Sequence, residues 1–169
     1  MKSNAKAMEK RSKHTYHTHL YQFVKDILVV CPVCSAQAIV RTGDFESLKH
    51  TQYEIRVLCP ACGYNKILEN VSPRQDPKQK QGNVLIFGAP FDPFFHLSVW
   101  LQSDFSGETL WAYNLEHLEF LAQHVGAKLR ERNTGPRMSR SIGARLPRWM
   151  TTASNREAVL KAIEKLREK

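Results

Sequence analysis

The chain has 169 residues, 42% of them hydrophobic, and a formal net charge of +9. That is room for one medium domain, or for a small metal module joined to a second compact unit. The first nineteen residues are polar and basic and no apolar run approaches spanning length, which argues against a secretory signal and a membrane span and points to the cytoplasm.

Along the chain the charge is segregated. Residues 1–13 carry Lys2, Lys6, Lys10, Arg11 and Lys13 against Glu9. Residues 84–127 contain no Lys or Arg, and carry Asp92, Asp104, Glu108, Glu116 and Glu119. Residues 128–148 then carry Lys128, Arg130, Arg132, Arg137, Arg140, Arg145 and Arg148 against Glu131. Clustered arginine is the footprint of a polyanion binder, whereas the acidic stretch beside it would repel the same polyanion.

Residues 1–20, rich in Lys, Ser, Thr and His, read as a flexible basic arm. In residues 21–71, Phe23-Val24 and Ile27-Leu28-Val29-Val30 lead into the first cysteine. Ala38-Ile39-Val40 and Tyr53-x-Ile55-x-Val57 read as short strands, the second alternating with period two. Residues 72–83 hold two prolines and no apolar residue, and read as a linker between two units. Residues 84–169 read as an α+β domain. A β-hairpin of Leu97–Gln102 and Glu108–Ala112 around Asp104-Phe105-Ser106-Gly107 would set Trp100 opposite Trp111. Asn114 would cap a helix from Leu115 to about Arg132 that buries Leu118, Leu121, Val125 and Leu129. A short helix over Ser139–Leu146 and a last helix entered near Ser154, through a capping box with Glu157, would complete the fold. The last helix would bury Val159, Leu160, Ile163 and Leu166. No internal repeat of useful length stands out.

The four cysteines, Cys31, Cys34, Cys59 and Cys62, form two Cys-x-x-Cys pairs separated by twenty-four residues. In a reducing compartment that usage favours metal thiolate over disulfide. Two tight turns, each offering two sulfurs about 2.3 Å from one ion, complete the tetrahedron of a single structural Zn2+. Pro32 and Pro60 stiffen the turns, and Gly63 lets the backbone fold back behind Cys62. Thiol redox chemistry is the competing reading, but it uses one pair at a helix N-terminus beside a βαβ unit. With four protein ligands no position stays open for a substrate water, and no nucleophile elbow, phosphate loop or His-Glu-x-x-His pattern occurs. A non-enzymatic protein with no small-molecule substrate is expected. His14, His17 and His19 could ligate a second metal, although an arm does not preorganise ligands. His117 and His124, seven apart beside Glu116 and Glu119, read as a solvated helix face or as an acid–base pair.

Residues 28–68 resemble the zinc-ribbon superfamily, with a somewhat longer segment between the pairs. Asp92-Pro93-Phe94-Phe95, Leu97-Ser98-Val99-Trp100-Leu101, Leu110-Trp111-Ala112-Tyr113-Asn114 and Leu146-Pro147-x-Trp149-Met150 resemble bacterial proteins described as carrying a transcription-factor-IIB-type zinc ribbon. That description reports the ribbon and assigns no activity. The resemblance implies an α+β fold in which an N-terminal four-cysteine zinc ribbon precedes a β-hairpin packed with two or three helices. Two functions remain open. One is an adaptor that binds DNA or RNA through the arm, the ribbon and the Arg cluster, where phosphate contacts would be bidentate. The other is a protein-binding module, of a regulator, immunity or complex-assembly kind, that uses the acidic aromatic block 84–127. Trp100, Trp111, Phe94, Phe95 and Trp149 would then stack on bases, face a partner, or fill a core.

Overall fold

The computed structural model describes residues 18–42, 54–69, 85–127 and 141–169. Most of the arm, the linker 72–83 and the segment carrying Lys128, Arg130, Arg132, Arg137 and Arg140 lie outside them. Strands β1 (Ile27–Val30), β2 (Gln37–Arg41), β3 (Ile55–Leu58) and β4 (Asn65–Leu68) form an antiparallel sheet in the order β1-β2-β3-β4. Each strand is short, and the first three alternate: Ile27 and Val29, Ala38 and Val40, and Ile55 and Val57 point to one buried face. β-Branched side chains suit such a pleated, half-buried surface, and burying each contributes roughly 1.5–3 kcal/mol.

The sheet is built from two copies of one hairpin. Ile27, Val29, Cys31, Pro32, Cys34 and Ile39 recur in order and spacing as Ile55, Val57, Cys59, Pro60, Cys62 and Ile67. In both copies the cysteine turn joins the two strands. The sequence therefore does hold an internal repeat, hidden by differing residues at the intervening positions, such as buried Ala38 against exposed Lys66.

Across the linker, strands β5 (Leu101–Phe105) and β6 (Glu108–Ala112) form a hairpin whose turn is only Ser106-Gly107. Both turn residues have positive φ, 54° and 83°, the conformation whose twist matches paired strands. This two-residue turn sets the register away from the four-residue expectation. Trp111 faces Gln102, so the proposed Trp100–Trp111 pair does not form. Helices α1 (Leu115–Gly126) and α4 (Arg156–Arg167) cover the hairpin, while α2 (Ile142–Arg145) and α3 (Arg148–Thr151) are single turns. Leu101, Leu110 and Ala112 of the hairpin meet Leu118, Leu121 and Val125 of α1 and Val159, Ile163 and Leu166 of α4. The expected capping box at Ser154 is absent. Ala153–Asn155 is a 3-10 turn that runs straight into α4, so no extended residue is left to cap it.

The halves on either side of the linker share a core. Phe94, Val99, Tyr113 and Ile142 join the buried face of the four-stranded sheet. The free edge of β1 is sealed by the second half: the Val30 amide donates to the Ser98 carbonyl at 2.8 Å, and the Trp100 amide to Leu28 at 2.8 Å. The polar linker thus joins two stretches of sequence whose apolar faces meet.

Candidate metal centre

Each hairpin of the sheet ends in the same knuckle. The Cys31 amide donates to Ala36 O at 2.8 Å and the Ser35 amide to Cys31 O at 3.0 Å. Their counterparts, Cys59 to Tyr64 and Gly63 to Cys59, measure 2.8 and 2.9 Å. Ser35 (φ 60°) and Gly63 (φ 75°) both turn the chain through the left-handed region behind the second cysteine. Because β2 pairs with β3, the two knuckles project from the same end of the sheet.

That placement gathers all four sulfurs within 4.8 Å of one another, a geometry that can hold one metal ion. The closest pairs cross between knuckles: Cys31 Sγ to Cys62 Sγ is 3.7 Å and Cys34 Sγ to Cys59 Sγ 3.6 Å. Cys31 and Cys59, which follow directly from β1 and β3, are buried; Cys34 and Cys62 face solvent. Desolvation pushes the Cys31 thiol up, but the amides of Cys34 and Val33 and the neighbouring thiols outweigh it and hold Cys31 at about 7. The Tyr64 amide favours the Cys62 thiolate, yet desolvation and the other three thiols push Cys62 up to about 12. One thiolate is easily accommodated, whereas four adjacent anions repel one another unless a cation sits among them.

The other sequence candidates fall elsewhere. His117 and His124 are not on a solvated face; they are 2% and 1% exposed, inside the buried stripe of α1. His117 Nδ1 accepts the Tyr113 amide at 3.2 Å, and its ring stacks 4.9 Å from Phe23. Burial pulls its pKa down to about 3, so at neutral pH it is a neutral core residue. Of the proposed second metal site, His14 and His17 lie outside the described residues, and His19 stacks on Tyr21. Phe94 is buried and Phe95 half-buried. The tryptophans are likewise half-buried: Lys169 lies over the Trp100 ring, Trp111 packs against Tyr113 and His117, and Trp149 stacks on Phe105.

Two residues matter more than their sequence signals suggest. The Asp92 carboxylate accepts three backbone amides, from Phe94, Phe95 and Leu97, at 2.7–2.9 Å, and so shapes the strap that seals β1. Burial nonetheless raises its pKa. Asn114 caps α1 by accepting the His117 amide, while its Nδ2 donates to the carbonyls of Phe23 and Lys25. The N-cap is legible from residue type, but its second role needs the fold.

The fold and site together define a mixed α+β protein built around a four-cysteine centre. Compared with models of known families, with curated proteins and with solved structures, the chain matches none. No helix among the described residues is long and apolar enough to cross a membrane.

Proposed function

We propose that the protein is a non-enzymatic, cytoplasmic zinc-ribbon adaptor that contacts nucleic acid through its basic arm and Arg cluster. Zinc is supported by distance. Thiolates about 2.3 Å from one ion in a tetrahedron lie about 3.8 Å apart, close to the 3.6 and 3.7 Å between the knuckles. Placement of the cysteines at hairpin tips, away from any helix N-terminus among the described residues, supports a structural ion over thiol redox chemistry.

The observation that carries the nucleic-acid reading concerns charge pairing. Two of the acids able to neutralise the Arg cluster within the protein are engaged: Asp92 is buried under three amides, and Glu119 pairs with Arg167 at 2.5 Å. Arg145 and Arg148 are exposed and make no ion pair among the described residues. On the ribbon, Arg41 and Arg56 each have an acidic partner, Asp26 and Glu54. The alternative is a protein-binding module that uses the acidic aromatic block 84–127, in which Trp100 lies under Lys169 and Trp111 packs against Tyr113 and His117.

Binding of the full chain to a short DNA duplex over a salt series tests this reading. Arg145→Ala/Arg148→Ala should weaken binding equally across sequences and reduce the log–log salt slope by about 0.9 for each lost phosphate contact. Absence of binding by the unmodified protein at low salt would sink the proposal.

A further inference from the structure

A second surface feature stands apart from the metal centre. An open groove of about 490 Å³ runs along α1, with Phe23, Leu115 and Phe120 among its walls and Glu116 and Glu119 on its rim. Leu115 is 53% exposed. Glu116 makes no ion pair among the described residues, Glu119 is held by Arg167, and no Lys or Arg is among the groove's lining residues. An apolar floor beside an unpaired carboxylate suits a basic segment that carries an apolar anchor. Thr18 forms part of the same wall, held there by the Ile142 amide donating to its carbonyl at 2.9 Å.

We propose that this groove is the docking site of the chain's own basic N-terminal segment, residues 1–17, and that docking there competes with phosphate binding by the same lysines. The occupant follows from position and charge. The segment joins the groove at Thr18 and carries Lys2, Lys6, Lys10, Arg11 and Lys13 against Glu9, with Tyr16 as the nearest large ring. At roughly 3.3–3.6 Å per extended residue, the chain from Thr18 to position 13 can span at most about 18 Å. The groove's length along α1, from Leu115 to Gln123, is only about 12 Å at 1.5 Å per residue. Lys10, Arg11 and Lys13 are therefore all near enough in sequence to reach Glu116, the unpaired carboxylate of the rim. Tethering makes a shallow groove sufficient: a short connection gives an effective concentration of order mM, so a contact of mM affinity is about half-occupied. The competition rests on the nucleic-acid reading above; the docking does not.

The test uses full-length, metal-loaded protein labelled with nitrogen-15, in the unmodified form and as Leu115→Ser/Glu116→Gln. Both substituted residues are exposed, so the fold is retained. In the unmodified protein, raising salt should shift the amide signals of residues 6–17 and those of Leu115–Gln123 together. In the variant, the signals of residues 6–17 should sit at low salt where the unmodified protein places them at high salt. Signals of residues 6–17 that coincide in the two proteins at low salt would overturn the proposal. Shifts that grow with protein concentration would overturn it too, by assigning the groove to a second molecule. No nucleic acid enters the experiment, so failure of the phosphate reading leaves this result intact. If both readings hold, the variant also binds a duplex several-fold more tightly at low salt.

Discussion

Ser35 and Gly63 hold equivalent places in the two knuckles, at φ 60° and 75°, yet only one of them is glycine. A left-handed residue with a Cβ costs roughly 1–2 kcal/mol, and glycine gives back about 0.5–1 kcal/mol through the unfolded chain. Ser35→Gly should therefore stabilise the metal-loaded protein by about 0.5 kcal/mol. Gly63→Ala should destabilise it by about 1 kcal/mol, and through backbone conformation alone, since a Cβ there meets nothing within 4 Å. Urea midpoints at fixed metal concentration measure both. A loss of stability in Ser35→Gly would show that the serine hydroxyl has a role of its own.

How far the fold was legible follows from where the signals are local. The cysteine pairs, the Asn114 cap and the stripe Leu118, Leu121 and Val125 rest on neighbours within a turn, and the structure shows each of them. The hairpin register failed because Ser106-Gly107 forms a turn alone, which loop length decides. By residue type His117 and His124 suit a solvated face, yet they occupy helix positions that face the core, and for His117 the Tyr113 amide offsets part of the burial cost. The shared core could not be read at all. Val29 meets Val99 across the whole linker, and no local pattern encodes that pairing.

That shared core predicts how the protein responds to metal removal. Zinc binding free energy is folding free energy where the site does not exist unfolded. All three tryptophans lie beyond the linker, yet Tyr113 and Val99 rest on the sheet that the cysteines close. Chelation, or Cys59→Ser, should therefore change tryptophan fluorescence together with the loss of strand signal, in one transition. Metal analysis of the intact protein should give one zinc per chain. Loss of strand signal with unchanged tryptophan emission would mean that the second half stands without the four-stranded sheet.

Asn114 offers a sharper probe of the same coupling. Replacing it by Ala removes the helix cap, worth about 1 kcal/mol, and leaves the Phe23 and Lys25 carbonyls without their amide donor, for about 1–3 kcal/mol more at the buried end. Asn114→Asp keeps the cap acceptor but turns an anion towards those two carbonyls. Aspartate should therefore fail to rescue, even though it is as good an N-cap as asparagine in an isolated helix. Thermal unfolding of the two variants decides it: an Asp variant of native stability would show that only the cap matters.

His117 sets an acid limit on stability that is separate from the metal. Its folded pKa is lowered by burial to about 3, against about 6.5 in the unfolded chain. Below about pH 6.5 the unfolded chain takes up a proton that the folded chain refuses, so acid favours unfolding. The stabilising contribution is complete above about 6.5 and drains away as pH falls towards 3, with a limiting slope of about 1.4 kcal/mol per pH unit. Thiolate protonation and metal loss add their own acid dependence, so the difference between two proteins is the useful quantity. His117→Phe keeps a ring against Phe23 and removes the titrating group, at a cost from the Tyr113 amide left without its acceptor. The variant should be less stable at pH 8, yet lose stability more slowly between pH about 6 and 5, by up to about one proton's worth of slope. Urea unfolding at fixed zinc across that window measures the two slopes. Parallel slopes would mean that His117 is not held neutral in the fold, and that the acid limit lies with other groups.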